Sequence, residues 1–191
     1  MFDHISLTRI RFKKTTTEFD FTLPDFQSAS SKMEMEDDNL LTQNASFCLD
    51  GEAASCKNRE LSDFARDNSL YILGFSLWEA GEFFFTRRFS LDAYLLILTY
   101  EGEGLLEYEG RQHILQTGDC FLIDCRKPHM YKTSGLFWNC GFLVFRGKRE
   151  EQLYTYYLEQ GIVHFNMREY PEFQPLLEQA LEAHEGNLPI R

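Results

Sequence analysis

The stretch from Tyr94 to Phe145 constrains this chain more than any other. It reads YLLILTYEGEGLLEYEGRQHILQTGDCFLIDCRKPHMYKTSGLFWNCGFLVF. Apolar runs of about four to eight residues alternate with Gly, Asp and Pro roughly every ten residues, the spacing of a small antiparallel barrel or double-sheet sandwich. Helices do not fit, because β-branched and aromatic residues are dense and Gly recurs too often for a helix to run. At 191 residues the chain has room for one such domain with attachments.

Around that stretch the pattern predicts the following elements. Residues 1–27 read as extended, with Ile5, Leu7, Ile10, Phe12, Phe19, Phe21 and Leu23 alternating with polar residues about the KKTTTE break, as a hairpin or an arm. Residues 28–68 are polar and poor in large apolar side chains, which predicts a linker or a weakly structured segment with a short helix over Arg59–Arg66. LYILGFSLW and EFFFTRRF, joined at Glu79–Gly81, predict a hairpin. Tyr94–Tyr100 is apolar on both faces and predicts a central, doubly buried strand. EGEG reads as a turn, Glu109–Gly110 as a two-residue hairpin turn, Thr117–Asp119 as another turn, Arg126–Pro128 as a loop and residues 136–145 as the last long strand. Beyond Gly147 the period becomes helical. Leu153, Tyr154, Tyr157 and Leu158 share one face of a helix stopped at Gly161. Phe173, Leu176, Leu177, Ala180, Leu181 and His184 share a face of a second, ending at Gly186.

Charge and cysteines narrow the function classes. The net charge of −11 repels a phosphate backbone, and no basic stripe overrides it, so direct nucleic-acid binding by these residues is not expected. Five cysteines without a CxxC pair argue for reduced, buried thiols and against a disulfide framework. No run approaches the ~18 apolar residues of a membrane helix. The N-terminus lacks the apolar core of a signal peptide, and the expected setting is the cytoplasm.

Catalytic chemistry finds little purchase. A metal-holding barrel needs three or four His and carboxylate ligands, commonly His-x-His on one strand, and Tyr94–Tyr100 offers only apolar residues, Thr and Tyr. His113 and His129 remain, with Glu107 and Glu109 near the first, so no metal and no cofactor is expected. Cys140 lies mid-strand among aromatics, the ordinary place of an inert thiol. No phosphate loop, nucleophile elbow or dinucleotide fingerprint occurs. A ligand pocket is the functional reading that remains. Its anchors would be Arg87 or Arg88 with His129 and Tyr131, beside Trp138, Cys140 and Phe142, which alternate along one strand and face the same way. Spacing alone reads the same aromatics as core and the arginines as surface charge.

Taken in order, Arg87, YLLILTYEGEG, GDCFLIDCRKPHMY and FWNCGFLVFRG resemble the ligand-binding domain of AraC-type transcriptional regulators, continuously over about Leu70–Gly147 and more loosely over FQPLLEQALEAHEG. The resemblance implies a mainly β fold, a cupin-like jelly-roll β-barrel with two C-terminal helices. It divides the chain into an N-terminal extension and polar linker (1–68), a cupin-like ligand-binding domain (69–147) and a helical segment beginning the dimerisation region (148–191). It implies a small-molecule effector, a sugar or a small acid, bound without metal, and no enzymatic activity. The resemblance matches pocket positions to Arg87, Tyr131, Cys140 and Phe142, with Arg87 as a hydrogen-bonding fork, Tyr131 as a hydroxyl partner and Phe142 as a stacking wall; with His129 and Trp138 from the strand reading, these are the candidate ligand-binding residues. In the arabinose-responsive member of the family, His stands at the position of Cys140, Trp at Phe142 and Thr at Leu73, so the pocket here is less polar and arabinose is not the expected ligand. The implied partners are DNA, reached only through a helix-turn-helix domain beyond residue 191, and a second copy in a homodimer. The rival is a stand-alone cupin enzyme of sugar isomerase or dioxygenase type. A purely structural module dimerising through the two helices is a third reading.

Overall fold

The computed structural model describes residues 2, 5–17, 45–56 and 62–186. Their alternating apolar pattern resolves into one nine-stranded sheet in which every pairing is antiparallel. The strands are β1 (Leu7–Thr17), β2 (Ala45–Cys56), β3 (Leu70–Gly81), β4 (Phe85–Arg88), β5 (Tyr94–Tyr108), β6 (Arg111–Gln116), β7 (Asp119–Asp124), β8 (His129–Gly147) and β9 (His164–Asn166). They are ordered β1-β2-β3-β8-β5-β7-β9, with β4 between β2 and β8 and β6 beside β5. Helix α1 (Asp63–Asn68) precedes β3, α2 (Glu150–Glu159) follows β8, and α3 (Phe173–Glu185) closes the described chain. No helix among the described residues is long and apolar enough to cross a membrane.

A crease across the sheet gives the roll its shape. β2, β5 and β8 are long and continuous, whereas the rows between and beside them are broken. β3 and β4 both lie between β2 and β8 and run in the same direction, so residues 82–84 kink the chain without reversing it. β6 and β7 lie end to end along β5 in the same way. At the level of these breaks the β5–β8 register shifts between Thr99 and Glu101 and again between Gly102 and Gly104. Gly102 has φ +75°, and an added Cβ there would stand 2.4 Å from the Phe137 carbonyl oxygen. Only glycine permits both that conformation and that approach.

Several predicted elements change accordingly. The hairpin expected at Glu79–Gly81 is a kink, because both arms pair with β2 and β8 and not with each other. EGEG is a pair of register shifts inside one 15-residue strand, not a turn. The last strand begins at His129 rather than residue 136. Residues 45–56, expected within a linker, form a 12-residue strand, and residues 7–17 pair with it instead of folding back on themselves. The short helix lies at Asp63–Asn68, later than Arg59–Arg66. Phe19, Phe21, Leu23 and the rest of residues 18–44 lie outside the described residues. The Glu109–Gly110 turn is present with φ +50° and +74°, the doubly positive geometry of a tight hairpin.

Both faces of the sheet are covered. Inside the roll, Phe84, Leu95, Ile97, Leu106, Leu115, Ile123, Trp138, Phe142 and Val144 form one core. On the outer face Phe75, Leu98 and Cys120 meet Phe2 and Ile5 from the N-terminal segment and Leu177 and Leu181 from α3. β5 sends Leu95 and Ile97 to one core and Leu98 to the other, the doubly buried strand predicted for Tyr94–Tyr100. The helices bury less than their periodicity implied. α2 buries only Tyr154, leaving Leu153, Tyr157 and Leu158 exposed, and α3 buries Leu177 and Leu181 but exposes Leu176.

Candidate functional site

Strand alternation decides which side chains enter the roll, and the crease changes its phase. On β8 the buried residues include the alternating set His129, Tyr131 and Thr133 before Gly135, then Trp138, Cys140, Phe142 and Val144 after it. β5 switches likewise, from Leu95, Ile97 and Thr99 to Leu106 and Tyr108. The extra residues at the crease turn both halves of each long strand inward. On β4 the inward positions are Thr86 and Arg88, while Arg87 is exposed.

The rings meet around Phe84. Its centroid lies 4.9 Å from Trp78, 6.1 Å from Phe142 and 6.4 Å from both Tyr131 and Trp138. Tyr131 is 4.7 Å from Phe142 and 6.3 Å from the His129 ring. The Trp138 indole N–H donates to Thr99 Oγ1 at 3.2 Å, wholly buried.

A polar row runs along one end of this apolar interior. Arg88 and His129 are register partners, as are Thr86 and Tyr131. Thr86, Arg88, His129 and Thr133 are all at most 5% exposed. The Tyr131 hydroxyl is hydrogen-bonded to Thr86, and burial holds it protonated above its ordinary range. His129 Nδ1 lies 2.8 Å from the Lys127 carbonyl oxygen, which can only accept, so Nδ1 carries the proton. Burial first, and then the Arg88 charge, push the imidazole down to about 4. The ring is therefore neutral near pH 7, and its Nε2 is an acceptor. Thr133 Oγ1 is buried and has no hydrogen-bond partner among the described residues.

Of the residues singled out in the sequence, His129, Tyr131, Trp138, Cys140 and Phe142 share this interior, and Arg87 does not. It lines an outer cleft of about 240 Å³ at the mouth, with Arg88, Glu107, Glu109, Pro128 and His129. Of the two arginines weighed, Arg88 is the inward one. Thr86, Thr133 and Phe84 were not singled out. Three consecutive phenylalanines in EFFFTRRF hide the alternation that would have identified Phe84 and Thr86.

Cys140 is fully enclosed, and burial raises its thiol well above the ordinary range, which leaves no thiolate nucleophile at neutral pH. Among the described residues no three His, Cys, Asp or Glu side chains come together as metal ligands would.

An antiparallel roll with an aromatic interior and a buried polar row defines a cupin-like jelly-roll domain. A sequence profile of the AraC-like ligand binding domain matches residues 74–187. The chain belongs to that family. No curated protein matches it in sequence. Among solved structures it is similar to the AraC-like transcriptional activator CuxR, at 14% identity over 53% of this chain and 33% of that one, with a TM-score of 0.35. An HTH_3-family transcriptional regulator from Vibrio cholerae matches at 12% identity over 50% and 52%, with a TM-score of 0.32. KdgF from Halomonas sp. matches at 14% over 56% and 84%, with 0.36. The chain thus spans about half or less of the two regulators. Scores this low leave the family match to carry the assignment.

Proposed function

We propose that this chain is the effector-sensing domain of an AraC-type transcriptional regulator. A small polar molecule, a sugar or a small acid, enters the roll from the Arg88–His129 end. The observation carrying this reading is the buried row Thr86, Arg88, His129, Tyr131 and Thr133 set against an aromatic wall. Convergent polar groups in an apolar concavity are what orient a small ligand. Arg88 supplies forked donors, His129 Nε2 accepts, the Thr133 hydroxyl is available in either sense, and Phe142 and Trp138 give faces for a sugar or a planar acid. The role is binding rather than catalysis, a reading supported by the match to a ligand-binding domain family. DNA contact then falls to a helix-turn-helix domain outside these 191 residues, consistent with the net charge of −11. The protein works in the cytoplasm, as a homodimer, and ligand biases the arrangement of its domains.

A thermal-shift screen of sugars and small hydroxy acids tests the reading. A ligand at about a hundred times its Kd adds about 2.7 kcal/mol of stability, which raises Tm by roughly 5–10 °C in a domain of this size. Stoichiometric Fe, Mn, Ni or Zn in the purified protein, with no stabilising ligand in the screen, would instead favour a cupin enzyme.

A further inference from the structure

A second concavity lies at an edge of the roll, between β6, β7 and α2. It measures about 300 Å³ and is lined by Tyr108, Arg111, His113, Phe121, Tyr154 and Val163, with Glu109 and Leu158 at its edge. Tyr108, Phe121 and Tyr154 are each at most 7% exposed, so the cleft is walled by fixed aromatic rings rather than mobile side chains. The Tyr108 hydroxyl contacts that of Tyr154 at 3.3 Å and accepts from the Asp124 N–H at 3.1 Å, which ties α2 to the ends of β5 and β7. His113 packs on Phe121 at 4.7 Å and His164 stacks on its flank at 5.1 Å. The charged groups at this cleft are Arg111 and Glu109. Glu109 is held in an ion pair by Lys127, whereas Arg111 makes no ion pair among the described residues.

We propose that this cleft is a second binding site, for a small aromatic monocarboxylate whose ring lies between Phe121, Tyr154 and Val163 and whose carboxylate pairs with Arg111. The volume supports the size. A cavity of about 150 Å³ accommodates a benzene ring, so twice that holds one ring with a short acidic substituent. The guanidinium fork matches a carboxylate in two parallel hydrogen bonds, while an ammonium would not. Glu109 at the edge sets the charge limit, because its carboxylate repels a second anionic group on the ligand. Burial, His164 and Arg111 together lower the pKa of His113, so near neutral pH Arg111 is the cation. This site shares no side chain with the buried row of Thr86, Arg88, His129, Tyr131 and Thr133; Tyr108 and Glu109 line both it and the cleft at the mouth, and Arg111 belongs to this site alone.

Benzoate is a suitable probe, titrated into the isotope-labelled chain and followed by amide chemical shifts. The expected result is saturable shifts at Arg111, His113, Leu158 and Val163, with affinity at least about tenfold weaker in Arg111→Gln and for benzamide in place of benzoate. Arg111 is exposed, so that variant should fold normally. Absence of shifts at these residues up to millimolar benzoate would overturn the proposal. So would shifts confined to the roll interior around Thr133 and Cys140, or equal binding by parent and Arg111→Gln.

Discussion

His129 shows how burial sets chemistry at the scale of one residue. Its folded pKa of about 4 lies below the ~6.5 of an unfolded histidine, so between these values the unfolded chain binds the extra proton. Stability contributed by the neutral ring is complete above about pH 6.5 and is lost as pH falls toward 4. Urea unfolding at pH 7 and pH 4.5 should therefore show a drop that His129→Gln reduces, by on the order of 2–3 kcal/mol. An identical drop in the variant would mean that His129 is not held neutral. Arg87 and Arg88 carry the opposite lesson. Neighbours in sequence with identical chemistry, they differ in exposure because strand alternation sends one out and one in.

Among the elements, the crease separates what the sequence could reveal from what it could not. Apolar runs and the Glu109–Gly110 turn are local signals, and they mark the doubly buried stretch of β5 and one hairpin correctly. A kink and a reversal use the same residues, however. Gly102 and Gly118 at positive φ look like turn residues in either case, and only the long-range partners of the flanking strands distinguish the two. β2 escaped notice for another reason. Its buried residues include Ala45, Cys48, Ala53, Ala54 and Cys56, whose small side chains give a composition resembling a linker. The inward row of β8 was legible from Trp138 to Phe142, where alternation is clean, and the phase change at Gly135 concealed its continuation through Thr133. Two substitutions probe the elements. At Gly104 an added Cβ would fall 2.4 Å from the Trp138 ring, so Gly104→Ala should cost about 1–3 kcal/mol and alter tryptophan fluorescence. Tyr108→Phe removes the hydroxyl that bonds both Asp124 and Tyr154. It should cost about 1–2 kcal/mol and speed amide hydrogen exchange across α2 more than across β5.

At the scale of the whole molecule, the two cores give the sheet different duties on its two faces. The outer core joins the chain's two ends. Phe2 and Ile5 pack with Leu177 and Leu181, and the Phe2 and Ser6 amides donate to Glu178 and Glu185 of α3. Leu181→Ala should therefore cost about 2–5 kcal/mol in denaturant unfolding, although the residue lies far from the interior row. That loss should leave effector affinity nearly unchanged once the variant is folded. The inner core is the face that carries the proposed pocket, and its central claim is that Arg88, not Arg87, meets the ligand. Calorimetric titration of a stabilising sugar or acid into the parent, Arg88→Met and Arg87→Ala tests it most directly. Arg88→Met should weaken binding by at least about tenfold while Arg87→Ala stays within a few-fold of the parent. Unchanged affinity in folded Arg88→Met would contradict it.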